Sequence, residues 1–189
     1  MEIRQARKAD ILVVRNIINA LQVSRKGDTI PDRKLGGFYE YSKSEDDLIG
    51  AINPNFVVAE TDDGIRGFSL GYSSGVFRRR YSGEDASCEY KFILNEVSGN
   101  FLYVDMMGVL NPLSLGGGRF AKSLAMWNIE TAQQKNLEKV LSFTCEGIMG
   151  REEGRNERSI NFFRKLGFER FGGVVVGDGV LLGAYRLIL

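Results

Sequence analysis

The sequence predicts a single α/β domain over residues 1–189, with a mixed central sheet flanked by helices. Stretches typical of strands alternate with stretches of helical periodicity, in the order strand, helix, helix, two strands, insert, strand, helix, strand, helix and two strands. Parallel pairing is expected where a helix connects two strands. The 189 residues, 43% of them hydrophobic, are enough for one substantial core, and there is no linker or repeat.

The N-terminal third is predicted to hold a short strand and a helix followed by a loop. Residues 1–5 suit a strand, and Asp10 suits the N-cap of a helix in which every third or fourth residue is apolar. Residues 25–43 are polar and rich in glycine, which favours a loop.

A second helix and a hairpin are predicted next. Ser44 followed by Asp47 has the pattern of a capping box and indicates a short helix. The segment 62–64, Asp-Asp-Gly, lies between strand-like runs at 56–60 and 65–73, which is a strong hairpin signal.

The C-terminal half begins with an ambiguous stretch. Residues 76–99 contain the run Arg78-Arg79-Arg80, and their segment 90–97 suits either a helix or a strand. The later elements are predicted as strand, helix, strand, helix and two strands, at 101–110, 119–135, 140–145, 156–168, 169–176 and 180–189. The last strand is apolar and would suit sheet extension between subunits, so a homodimer is one prediction.

The composition excludes several classes of function. Lys and Arg total 25 and Asp and Glu total 24, a balance that argues against broad nucleic-acid binding. No apolar run approaches the roughly 20 residues that span a bilayer, and no signal peptide is visible. Cys88 and Cys145 lack metal-ligand spacing, so we expect reduced thiols in a cytoplasmic protein without a metal.

The chain contains no histidine. Ser-His-Asp and Cys-His catalysis and the usual His-containing zinc sites are therefore excluded. Acid–base chemistry must fall to carboxylates, Tyr, Cys, Lys or water.

Residues 156–168, Asn-Glu-Arg-Ser-Ile-Asn-Phe-Phe-Arg-Lys-Leu-Gly-Phe, form the most informative segment. Asn156 suits an N-cap and Gly167 suits the left-handed residue after a helix end. Ser159, Phe162, Phe163 and Leu166 fall on one helical face. By pattern alone this is an amphipathic helix packed on a sheet. The string also resembles the last conserved helix of the GCN5-related N-acetyltransferases (GNAT), where an Asn opens the helix and a Phe-Tyr pair leads to Lys-Leu-Gly-Phe.

A glycine run between a buried strand and a long helix is a second motif. Its backbone N–H groups, with the positive end of the helix dipole, favour a pyrophosphate. The run resembles the GNAT coenzyme A loop, although Leu115 replaces the usual Gln or Arg when the glycines are aligned. The segment consists of Leu115, Gly116, Gly117, Gly118, Arg119, Phe120 and Ala121.

The resemblance covers nearly the whole chain and implies a GNAT-like fold with acetyl-CoA as cosubstrate. It implies transfer of acetyl to a primary amine by direct attack, with the Met107 and Val109 amides as oxyanion donors. It also places Asn156, Ser159 and Phe163 at the cofactor. Two alternatives stay open: a catalytically degenerate acyl-CoA-binding or interaction domain, and an acyltransferase that uses a longer acyl group or an acyl-carrier-protein donor.

Three carboxylates are candidates for the general base that deprotonates the amine. Asp105 interrupts an apolar strand, where alternation places it on the face of Tyr103 and Met107; pairing with an Arg or a backbone N–H is the structural alternative. Glu60 ends its strand. Glu146 follows the strand that should diverge from 101–110 to admit the cofactor.

Phe163 lies where the family often has a Tyr that protonates the leaving thiolate. Tyr103, Tyr185, Cys145 or solvent would have to replace it, or the thiolate would leave unassisted. The acceptor is undecided, because the segments 25–43, 76–100 and 147–155 are long and carry charges of both signs.

Overall fold

The computed structural model describes residues 1–23, 38–39, 43–110, 117–148 and 155–189. The strands are β1 (Glu2–Gln5), β2 (Gln22–Val23), β3 (Phe38–Tyr39), β4 (Phe56–Thr61), β5 (Gly64–Ser73), β6 (Phe101–Val109), β7 (Lys139–Ile148), β8 (Glu169–Val176) and β9 (Val180–Ile188). The helices are α1 (Ile11–Leu21), α2 (Glu45–Gly50), α3 (Ser74–Tyr81), α4 (Cys88–Glu96), α5 (Gly117–Gln134) and α6 (Glu157–Lys165). Short 3-10 turns lie at Lys8–Asp10 and Gly177–Gly179.

One seven-stranded sheet organises the described residues, in the order β1-β4-β5-β6-β7-β9-β8. Its neighbours pair antiparallel except β6 and β7, which are joined through α5 and pair parallel. The expected mixed sheet is therefore confirmed. β2 and β3 form a separate parallel pair.

The helices cover both faces of the sheet. α1 to α4 pack on one face, over a core that includes Phe77, Phe101 and Tyr103. α5 and α6 pack on the other face, where Leu102 and Val104 of β6 point. Successive residues of β6 thus serve opposite cores, as strand alternation requires. We call the two sides of the sheet the α1–α4 face and the α5–α6 face.

Local signals in the sequence are confirmed where they were strongest. Ser44 and Asp47 form the predicted capping box of α2. Asn156 caps α6, because its side chain accepts a hydrogen bond from the Ser159 N–H at 3.0 Å. Gly167 follows α6 with φ of 86°, the left-handed conformation expected there.

Other predictions needed correction. The ambiguous stretch forms two helices, α3 and α4. Asp10 does not cap α1 from outside; it lies in the preceding 3-10 turn, where it accepts from the Arg7 N–H and the Arg4 guanidinium. The buried residues of α6 are Ile160 and Phe163. The predicted apolar face, counted from Ser159, did not include Ile160. β9 is interior, between β7 and β8, so it cannot extend the sheet to another subunit.

We expect Phe77→Ala to lower the free energy of unfolding by about 3–5 kcal/mol. Phe77 is fully buried and its ring lies 5.0 Å from the Tyr103 ring and 5.7 Å from the Tyr90 ring, centroid to centroid. Urea denaturation measures the change. Leu12→Ala is the control, because Leu12 is 58% exposed and should shift the midpoint little. Equal effects of the two substitutions would contradict the assignment of Phe77 to the core.

Candidate active site

The central feature of the sheet is an opening between β6 and β7. The two strands pair from Phe101 with Lys139 to Val104 with Ser142, and the pairing stops there. Beyond this point β6 stays paired with β5, and β7 stays paired with β9. The carboxyl ends of two parallel strands therefore diverge, which is where open α/β sheets commonly bind ligands.

A side chain completes the hydrogen bonding where the pairing ends. The Ser142 hydroxyl donates to the Val104 carbonyl oxygen at 3.0 Å, and Ser142 is buried. A backbone acceptor that loses its strand partner would otherwise be costly to bury. The Ser142 side chain thus satisfies a backbone acceptor at the point where the two strands diverge.

Bulges lie on both strands just past this point. In β6, Leu70 pairs with Met106 and Gly71 with Val104, so Asp105 is the extra residue. In β7, Glu146 is the extra residue between Cys145 and Gly147. Bulges re-aim side chains and often occur beside active sites. Two of the three predicted carboxylates therefore flank the opening.

The bulge in β6 changes the predicted facing of its residues. Asp105 lies on the α1–α4 face with Tyr103, as alternation predicted. The next residue of β6 on this face is Met106, not Met107. Met107 instead packs on the α5–α6 face. The extra residue reverses the alternation, which sequence spacing alone could not reveal.

The amides of Met107 and Val109 are directed toward the opening. The Leu110 N–H bonds to the Arg66 carbonyl of the neighbouring chain segment at 2.8 Å, so by antiparallel alternation the N–H groups of residues 106 and 108 also face β5. Those of Met107 and Val109 must face away from β5, toward the diverging β7.

The donors to Asp105 include two side chains of the described residues. The Lys43 ammonium lies 2.5 Å from its Oδ2, and the Tyr90 hydroxyl donates to Oδ1 at 3.1 Å. The side chains of Asp105 and Lys43 are only 3% and 11% exposed. The pairing that the sequence predicted as the structural alternative is present, with a lysine as the cation.

Glu146 is also fully engaged, on the opposite face. The Arg170 guanidinium bonds both carboxylate oxygens at 2.8 and 2.9 Å, and the Tyr185 hydroxyl donates at 2.7 Å. A Cβ at Gly183 would overlap the carboxyl group of Glu146, so the glycine makes room for it. Burial and then the bond to Glu146 raise the pKa of Tyr185 to about 12.

Phe163 lies beside Tyr185. The two rings stack with centroids 5.9 Å apart and an interplanar angle of 21°. Among the predicted replacements for the missing tyrosine hydroxyl, Tyr185 is therefore the one that neighbours Phe163. Tyr103 points to the α1–α4 face, away from it.

The helix ends beside the opening come from α5 and α6. The first turn of α5 carries Phe120 and Ala121, which pack with Val109 at the end of β6. At α6, the Asn156 N–H bonds to the Cys145 carbonyl of β7 at 3.0 Å. Each helix N-terminus thus adjoins one of the diverging strands and adds partial positive charge there.

Part of the predicted phosphate loop lies outside the described residues, namely Leu115 and Gly116. The remainder forms the start of α5, with Gly117 and Gly118 in its first turn and Arg119 exposed. The first N–H groups of a helix have no intrahelical partner. The described part of the predicted loop is therefore a helix start whose first N–H groups lack intrahelical acceptors.

The structure does not bring Glu60 to the opening. Glu60 lies in β4, which β5 and β6 separate from β7, and its carboxylate accepts a hydrogen bond from Arg4 at 2.6 Å. The hydrogen bond from Arg4 lowers the pKa of the Glu60 carboxyl below its usual value. The arginine run is also largely structural, because Arg78 and Arg80 donate to backbone carbonyls of Val97 and Gly50.

Sequence reasoning missed Lys43, Tyr90 and Arg170 as partners of the two carboxylates. Lys43 is the last residue of the predicted loop 25–43 and Tyr90 lies in the ambiguous stretch, so neither side chain had a predicted position. Arg170 lies near the start of the predicted strand 169–176, where no local pattern marks it as a partner of Glu146.

Among the described residues there is no group of three or more His, Cys, Asp and Glu side chains that could hold a metal ion. The described helices likewise include none that is both long and apolar enough to cross a membrane.

No family model matches the chain, and no curated protein sequence matches it. Solved structures do. Ribosomal-protein-alanine N-acetyltransferase from Brucella melitensis is 20% identical over 100% of both chains, with a TM-score of 0.62. A GNAT-family acetyltransferase from Listeria monocytogenes is 15% identical, covering 100% of this chain and 94% of its own, with a TM-score of 0.63.

Naa20 from Chaetomium thermophilum, solved with a bisubstrate analogue, is 14% identical, covering 100% of this chain and 87% of its own, with a TM-score of 0.65. At such identities the likeness establishes the fold. The chain has the fold of the GCN5-related N-acetyltransferases, as its motifs predicted.

Removing the Tyr185 hydroxyl should change how stability depends on pH. The folded state holds this proton until a pH of about 12, whereas an unfolded tyrosine loses it near its ordinary pKa of 10.0. The stabilisation is therefore complete below pH 10.0 and lost as the pH rises through about 12. Denaturant unfolding of the wild type and Tyr185→Phe measures it, and parallel curves across this window would contradict the Tyr185–Glu146 bond.

Proposed function

We propose that this protein transfers an acetyl group from acetyl-CoA to a primary amine by direct attack. The observation that carries the proposal is the opening between β6 and β7 beyond Val104 and Ser142, with two helix N-termini beside it. An opening of this kind admits an extended thioester arm. The similar fold of Naa20, which was solved with a bisubstrate analogue, supports the same use of the scaffold.

The donor would lie on the α5–α6 face. We assign the pyrophosphate to the N–H groups in the first turn of α5, where Gly117 and Gly118 lie, because a helix start favours anions. Asn156, Ser159 and Phe163 of α6 would adjoin the arm on its other side. The thioester would then reach between the strands toward the α1–α4 face.

The amine would approach from the α1–α4 face and attack the thioester carbonyl. The tetrahedral intermediate carries a negative oxygen, and the amides of Met107 and Val109 point into the same opening. Fixed backbone donors aimed at a developing oxyanion are an effective form of transition-state stabilisation. This role needs no particular side chain, which suits a chain with little sequence identity to its structural neighbours.

Asp105 is our choice of general base. Its carboxylate lies at the bulge beside the opening, on the acceptor face, and already binds one primary ammonium, that of Lys43. An acceptor amine would need the same interaction before losing its proton. Glu146 lies on the donor face and is engaged by Arg170 and Tyr185, so we assign it a structural role.

The leaving thiolate would depart without a side-chain acid. Phe163 has no proton to give. Tyr185 has a pKa of about 12 and is thus a far weaker acid than a thiol, whose ordinary pKa is about 8.5. Protonation of the thiolate by Tyr185 is unfavourable, so solvent supplies the proton.

We expect Asp105→Asn to lower kcat/KM for amine acetylation by about 10²–10⁴-fold, because the variant cannot accept the amine proton. Acetyl-CoA affinity, measured by calorimetry, should stay unchanged. Glu60→Gln, which alters a carboxylate remote from the opening, is the matched control and should retain turnover.

Other outcomes would redirect the assignment. Equal loss of thioester binding and turnover in Asp105→Asn would make Asp105 structural. Tight acetyl-CoA binding by the wild type without turnover of any amine would favour a non-catalytic acyl-CoA-binding domain. A preference for longer or carrier-bound thioesters would replace acetyl-CoA as the donor.

A further inference from the structure

We propose that Lys43 is itself an acceptor, so that the protein acetylates its own Lys43 Nζ within one molecule. The inference rests on the proposed acetyl transfer and adds a modification site to it.

The position of the Lys43 ammonium is that of a bound acceptor. Its Nζ lies 2.5 Å from Asp105 Oδ2, which is the carboxylate assigned as general base. It also lies 5.8 Å from the centroid of the Tyr72 ring, within the range of a cation–π interaction. A carboxylate and an aromatic wall are what a primary ammonium needs in order to be captured and desolvated.

The pair is unusual as a purely structural device. Both side chains are almost completely buried, and desolvation makes a buried ion pair weak evidence for stabilisation. Tyr72, whose ring faces the ammonium, is only 1% exposed, so the Lys43 Nζ is shielded from water on that side as well.

Lys139 provides an internal comparison. Its side chain is 16% exposed and its Nζ lies 3.6 Å from Glu138 Oε2, so it is similarly buried and also ion-paired. However, it lies at the end of β7 where β6 and β7 are still paired, away from the opening. The two lysine side chains are buried to a similar extent. They differ in their carboxylate partner, which is 57% exposed for Lys139 and 3% exposed for Lys43, and in their relation to the proposed thioester path.

The chemistry balances with the groups present. Asp105 accepts one proton from the Lys43 ammonium, and the neutral Nζ forms a bond to the thioester carbonyl carbon. The tetrahedral intermediate loses its second N–H proton to solvent and its C–S bond breaks. The products are Nε-acetyllysine at position 43 and the coenzyme A thiolate, which solvent protonates.

The test is to incubate the purified full chain with isotope-labelled acetyl-CoA and map the label by mass spectrometry. We expect occupancy at Lys43 to exceed that at Lys139 by roughly tenfold or more, because proximity to the bound donor raises the effective concentration of one amine. The first-order rate constant, measured as the fraction of Lys43 labelled per unit time at saturating acetyl-CoA, should not depend on protein concentration. Asp105→Asn should abolish the excess, and Lys43→Arg should remove the label while circular dichroism shows a folded protein.

Equal labelling of Lys43 and Lys139, or a fractional labelling rate that increases with protein concentration, would overturn the proposal. Acetyl-CoA binding and turnover of added amines are measured on the same preparation. Turnover of added amines without Lys43 labelling would refute self-acetylation and leave the proposed function intact. Absence of both thioester binding and turnover would refute the proposed function itself.

Discussion

The structure depends on the loss of pairing between β6 and β7 after Val104 and Ser142. Four residue pairs hold the strands in parallel register, and the chain then gives up further ladder hydrogen bonds. Such a loss is tolerated because each strand keeps its outer partner and because the Ser142 hydroxyl satisfies the Val104 carbonyl. The opening between β6 and β7 therefore lies in the middle of the sheet, and each of the two strands is still hydrogen-bonded on its other side.

The opening lies between two chemically different faces of the sheet. Bulges on its two sides send one carboxylate to each face, with Asp105 toward α1–α4 and Glu146 toward α6. The helix starts that suit an anionic donor adjoin the α5–α6 side. In the proposed reaction, a donor on one face and an acceptor on the other would meet in the plane of the sheet. The amides of Met107 and Val109 point to this place.

The sequence predicted the elements whose signals are local. The capping box at Ser44, the cap at Asn156 and the glycine at position 167 were recognisable because each depends on a few neighbouring residues. Bulges depend on register between distant strands, so the facing of Met106 and Met107 was not predictable from spacing. The stretch holding α3 and α4 was ambiguous because its helical pattern is weak and its burial comes from tertiary contacts.

The candidate site was predictable in its carboxylates but not in their cations. Asp105 stood out because a charge in an apolar strand needs a partner. Lys43 lies 62 positions away in the chain and Arg170 lies 24 positions from Glu146, so neither partner is visible in any local pattern.

The identity of those cations separates the roles of the two carboxylates. An arginine stays protonated, and the Arg170 Nε–H is shared between both carboxylate oxygens of Glu146, which favours a fixed structural pair. A lysine is a single ammonium that can lose its proton when buried and become a nucleophile. The same scaffold thus places an arginine–carboxylate pair on the α5–α6 face and a lysine–carboxylate pair on the α1–α4 face. Under the proposed function, the lysine–carboxylate pair is the one suited to exchange its ammonium for that of an acceptor or to react itself.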